Sequence, residues 1–103
     1  MAQERHIYGK IDSETGMRQV FMDIRRDVEN ADSRPALTEL YKRAGYLVTL
    51  TYAPSWHEKF GPRAAELRTV GEEEFRKTAR EINRRAAHIG TEADYDEEWG
   101  HGT

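Results

Sequence analysis

Arg76, Arg80 and Arg84 follow one another at intervals of four residues, with Lys77, Arg85 and His88 beside them. Side chains four apart lie along one face of a helix, so this run would present a ladder of guanidinium groups, which bind phosphate and carboxylate through two-pronged hydrogen bonds. Such a ladder could follow a nucleic-acid backbone, with Arg76, Lys77, Arg80, Arg84 and Arg85 as the contact set. The plainer account is a solvated face, because Glu73 and Glu81 stand four residues before Lys77 and Arg85 and would pair with them. No zinc pattern, RNP-type aromatic run or Gly-rich loop accompanies the arginines.

A second cluster lies in the last stretch of the sequence. Tyr95, Glu97, Glu98 and Trp99, with Asp94 and Asp96 among them, join carboxylates that would steer toward a basic groove to aromatics that would anchor there. The same segment could fold onto the chain's own arginine face, and the plainest account is a frayed terminus. A tryptophan is out of place in a purely solvating tail, which favours docking onto this chain or a second copy.

Trp56-His57-Glu58 sets an imidazole beside a carboxylate, the pairing of a general base. The four histidines (His6, His57, His88, His101) never fall three or four residues apart, so no helical metal-ligand pair exists. There is no nucleophile elbow and no phosphate-binding Gly-rich loop. We therefore expect no catalytic residue, no metal site and no cofactor. Tyr41, Tyr46, Tyr52, Trp56 and Phe60 are aromatics at core-like spacing. If any of them line a small-ligand pocket or an enzymatic site, Tyr52, Trp56 and His57 are its place.

The elements that would position these groups follow from periodicity. Phe75, Ala79, Ile82, Ala86 and Ile89 form a helical stripe, and the pattern predicts a helix over 72–90, with Gly71 or Thr69 as cap and Gly90 as terminator. Ser33 or Asp32 would cap a helix over 34–45, with Pro35 in its first turn and Gly45 at its end. Tyr46 to Tyr52 alternates and is rich in β-branched and aromatic residues, so 46–53 reads as a strand stopped by Pro54. Residues 5–12 alternate likewise, and Asp12 to Gly16 has turn chemistry, which makes 5–12/17–24 a hairpin. Met17, Val20, Phe21, Ile24 and Val28 fit a helix equally well. The expected fold is therefore α+β, a three-stranded antiparallel sheet covered by two helices. The alternative is mostly α, with 14–30 helical and a two-stranded sheet.

The 103 residues suit one domain over 1–90, followed by an acidic-aromatic tail over 91–103. Hydrophobic residues make up 37% and charged residues 34%, a thin core that favours self-association. The net charge of −3 does not draw the whole molecule to polyanions. The absence of cysteine rules out disulfides, and no apolar run suits a signal peptide or a membrane span. The sequence thus leads us to expect a cytoplasmic, non-catalytic protein-binding or accessory module that forms a homodimer through a sheet edge or the bare sheet face and binds through that exposed sheet surface and the acidic-aromatic tail. Its alternatives are a nucleic-acid-associated regulator using the arginine face and a small-ligand or enzymatic domain around Trp56-His57.

Overall fold

Ser13 decides how the chain enters its first element. In the computed structural model, which describes residues 11–92 and 94–99, the Ser13 Oγ accepts a hydrogen bond from the Gly16 N–H at 3.0 Å. That satisfies one of the donors a helix leaves open at its start. Helix α1 (Glu14–Asn30) follows and buries Met17, Phe21, Ile24 and Val28 along one stripe. The segment expected to return as a hairpin strand over 17–24 is therefore helical, and its turn is a helix cap. The first strand of that hairpin falls mainly outside the described residues. Ile11, at its end, is fully buried.

Helix α2 (Arg34–Leu50) starts where the sequence places it, with Ser33 Oγ accepting from the Ala36 N–H at 3.3 Å and Pro35 in the first turn. It does not stop at Gly45. The helix runs on to Leu50 and absorbs the strand expected over 46–53. The reason is visible over a longer window. Leu37, Leu40, Ala44, Leu47, Val48 and Thr51 are all buried, a stripe at helical spacing, and that burial overrides the strand propensity of the Tyr46–Tyr52 run. Three tight bonds, Thr51 N–H to Val48 O, Tyr52 to Thr49 and Ala53 to Leu50, at 3.0 to 3.2 Å, then close the end. Pro54 opens a short helix, α3 (Pro54–Phe60), which turns Trp56 and Phe60 into the core, followed by a 3₁₀ turn over Gly61–Arg63.

Helix α4 (Ala64–His88) is eight residues longer at its start than the 72–90 reading. Gly71 lies inside it rather than capping it. Leu67, Val70, Phe75, Ala79, Ile82 and Ala86 are buried along its length, and this packing outweighs the roughly 1 kcal/mol cost of an interior glycine. Gly90 ends the helix as expected, at φ +77°, with Thr91 N–H donating to Ala86 O at 3.0 Å.

Among the described residues there is no strand, and the three-stranded α+β arrangement is replaced by a three-helix bundle. Contacts of Arg18 with Glu73, Arg25 with Thr78 and Arg85 with Ala31 rise together along α1 and α4, so these helices run parallel. Tyr41 meets Phe75 while Thr51 meets Arg68, so α2 runs antiparallel to α4. Helix α4 is the pillar, with α1 on one side and α2 on the other. No helix among the described residues is long and apolar enough to cross a membrane.

Candidate binding surfaces on either side of helix α4

Between α1 and α4 lies a buried carboxylate, Glu74, 1% exposed. A charge at that depth persists only with partners. Arg18 Nη1 donates to its Oε2 at 2.7 Å, Lys77 Nζ reaches the same oxygen at 3.3 Å, and Arg25 Nη2 stands 3.0 Å from Oε1. That last contact is an ion pair without hydrogen-bond alignment. Arg25 also donates to Thr78 Oγ1 at 3.1 Å. Burial on its own would raise the Glu74 pKa, but the guanidinium groups of Arg25 and Arg18 and the Lys77 ammonium outweigh it and hold the carboxyl below its ordinary 4.5. Glu74 thus clamps α1 to α4 and aims Arg25 and Lys77.

Above that clamp the two helices leave an open cleft of about 530 Å³. Helix α1 contributes Met22, Arg25, Arg26 and Glu29, and α4 contributes Lys77, Arg80, Glu81 and Arg84. Five cations therefore face two carboxylates around one concavity, and Met22 adds an apolar patch that is 48% exposed. A smaller hollow of about 220 Å³ continues past Arg84 to Arg85, His88 and Val28. Of the arginine ladder expected to contact anions, Lys77, Arg80 and Arg84 line the cleft. Arg85 donates to the carbonyl of Ala31 at 2.8 Å and holds the end of α1.

Along the α2 side of α4, residues 94–99 lie as a strap without helix or strand, bent at Glu97 and Glu98. The side-chain amide of Asn83 donates to Tyr95 O at 2.8 Å and accepts from Tyr95 N–H at 2.9 Å. Tyr41 Oη donates to Asp96 O at 2.9 Å. The Tyr95 ring packs against Tyr41 at 4.8 Å between centroids, and its hydroxyl meets Thr38 Oγ1 at 2.6 Å. Trp99 sets its edge to Phe75 at 5.8 Å and lies against the backbone of Gly45. Glu97 pairs with Arg80 at 3.5 Å and Glu98 with Arg76 at 2.5 Å. The four tail residues named from the sequence are thus brought together with Arg76 and Arg80. Burial and the Asp96 charge, against a hydrogen bond to the Asp96 backbone, push the Tyr41 phenol above its usual value.

The third set is divided. Trp56 is fully buried, stacked on Phe60 at 4.4 Å, and its Nε1–H donates to Ala64 O at 3.1 Å. Its indole belongs to the core. Tyr52 and His57 meet at the surface through Arg68, whose guanidinium lies 4.4 Å from the Tyr52 ring centre and 2.5 Å from His57 Nε2. The Tyr52 hydroxyl donates to Glu72, a bond that raises its pKa, with desolvation adding to it. Among the described residues no three His, Asp or Glu side chains converge so as to hold a metal ion.

Sequence reasoning missed Glu74, Arg18, Arg25, Arg26, Met22 and Asn83. A signal for the first three was present. Glu74 falls on the same stripe as Leu67, Gly71, Thr78 and Ile82, and a carboxylate on an apolar stripe demands cations from a neighbouring element. Arg18 and Arg25, seven residues apart, supply them only if α1 is a helix. The chain matches no protein-family model, no curated protein and no solved structure.

Proposed function

We propose that this chain is a non-catalytic binding module whose α1–α4 cleft takes an acidic, amphipathic segment of a protein partner. The observation that carries the reading is the convergence of Arg25, Arg26, Lys77, Arg80 and Arg84 on one cleft that also exposes Met22. Cations give charge complementarity and on-rate, and a flexible thioether accommodates an apolar side chain of the partner. A cysteine-free chain suits the cytoplasm, which is where we place it.

Nucleic acid is the second reading, favoured by the regular spacing of Lys77, Arg80 and Arg84 with Arg26 across from them. Glu29 and Glu81 in the cleft and the net charge of −3 weigh against a phosphate backbone.

Arg26→Glu with Arg84→Glu separates the readings. Both side chains are well exposed and, among the described residues, pair within their own helix, with Asp23 and Glu81, so the bundle tolerates the change. A labelled peptide alternating glutamate pairs with leucine, and a short DNA duplex, serve as probes. We expect the double variant to bind the peptide at least about tenfold more weakly at physiological salt. Met22→Ser should weaken the peptide and leave DNA unchanged. Tighter binding of DNA, indifferent to Met22→Ser, would replace the protein-binding reading by the second one.

A further inference from the structure

The strap over residues 94–99 has the character of a docked ligand. It forms no helix or strand, and its main chain is held by side chains of the bundle. The Asn83 amide engages both the N–H and the C=O of Tyr95, and Tyr41 takes the next carbonyl. Those three bonds fix the register of the strap at Tyr95 and Asp96 whatever its side chains. Specificity comes from two aromatic seats and two cations: Tyr95 on Tyr41, Trp99 on Phe75 and Gly45, Glu97 on Arg80, and Glu98 on Arg76. Main-chain bonds for affinity and pockets for alternate side chains are how an extended peptide is recognised.

We propose that the α2–α4 groove is a peptide-binding groove with an exchangeable occupant, and that a second copy of the chain supplies residues 94–99 to give a strap-exchanged dimer. The connection from α4 is short, and it turns at Gly90, which has positive φ and open space around it. Short hinges of this kind invite exchange between copies. Exchange preserves every groove contact, so the closed monomer and the dimer differ mainly in the hinge and in concentration. The intramolecular strap has an effective concentration of the order of millimolar, which sets the concentration at which a second copy competes. The groove shares Arg80 with the cleft but is read from different contacts, those of Asn83, Tyr41 and Phe75, so its failure leaves the cleft reading standing, and the reverse.

Two full-length variants test it. Asn83→Asp removes a donor to Tyr95 and sets a negative charge near Glu97, disabling the groove while leaving the strap intact. Tyr95→Ser with Trp99→Ser disables the strap while leaving the groove intact. Circular dichroism confirms that both stay helical. The strap variant is labelled with ¹⁵N and mixed with the unlabelled groove variant at up to about 1 mM. The Asn83 side-chain amide should return from its unoccupied shift to the wild-type position, and the mixture should contain a heterodimer that neither variant forms alone. An Asn83 amide that stays at the unoccupied shift throughout would overturn the proposal. So would an amide restored only by a free peptide of residues 91–99 and never by the groove variant, which would show that the strap does not leave its own bundle to enter a second copy.

Discussion

Glu74 shows what one buried charge does to this bundle. Its neighbours Arg18 and Arg25 come from α1 and Lys77 from its own helix, so a single carboxylate fixes the register of two parallel helices. Removing it leaves two arginines facing each other at a partly buried seam. Glu74→Ala should lower the unfolding free energy by about 3 kcal/mol, at the lower end for a broken buried pair because the arginines retain some solvent. Urea denaturation measures this. The pH dependence has a definite sign. Because the folded carboxyl is depressed below its ordinary 4.5, the unfolded state takes up its proton first as pH falls. The stabilisation is therefore complete above about pH 5 and drains away below it as pH falls through the folded value. Wild type should lose stability more steeply than Glu74→Gln below that point. Equal slopes would show that Glu74 is not the group titrating. The carboxylate was readable from the sequence as a charge on an apolar stripe. Its partners were not, because Arg18 and Arg25 share a face only in a helix, and residues 17–24 follow the turn chemistry of Asp12 to Gly16, which reads as a hairpin.

At the scale of elements, two glycines marked boundaries in the sequence and sit inside helices in the fold. Gly71 packs against Met17, and a methyl group added there would stand 3.6 Å from the Met17 Cε and Sδ and 3.9 Å from Thr51 Cγ2. Those are ordinary contacts, and the φ at this position is not left-handed. Gly71→Ala should therefore raise stability by about 0.5–1 kcal/mol, from helix propensity and a less flexible unfolded chain. A lowered melting temperature would mean that the Met17 side chain cannot accommodate the methyl. Gly45 differs in consequence, because the same methyl would face Trp99 at 3.6 Å. Gly45→Leu should push Trp99 from its seat, seen as a red shift of indole fluorescence, while the helical circular dichroism remains. Ser13→Ala should cost about 1 kcal/mol through loss of the α1 cap. The stretch around Gly45 explains why the sheet was expected. A seven-residue window from Tyr46 alternates, and only a window reaching back to Leu37 shows the helical stripe. Starts with side-chain caps were open to reading, as at Ser33. The start of α4 has no side-chain cap, so no local residue pattern marks it.

For the whole molecule, α4 is one helix serving two surfaces. Arg80 belongs to both, lining the cleft toward α1 while pairing with Glu97 of the strap. An anion entering the proposed cleft would compete with Glu97 for that guanidinium, so strap and cleft occupancy would be coupled, and the coupling reciprocal. Arg80→Ala should weaken the strap and the cleft together, whereas Arg76→Ala should affect the strap alone. The tail's docking was one of the outcomes its composition suggested. The cleft was not readable, since its α1 wall came from a segment weighed as a strand.

We propose the cleft between α1 and α4 as the binding surface for an acidic partner segment. Its most direct test is a titration of ¹⁵N-labelled full-length protein with the glutamate–leucine peptide, followed residue by residue. Shift changes should concentrate at Met22, Arg26, Lys77 and Arg84, with a smaller response at Glu97 through Arg80 and none around Tyr52 and His57. Changes centred on Tyr52, His57 and Arg68, or none at all at millimolar peptide, would contradict it.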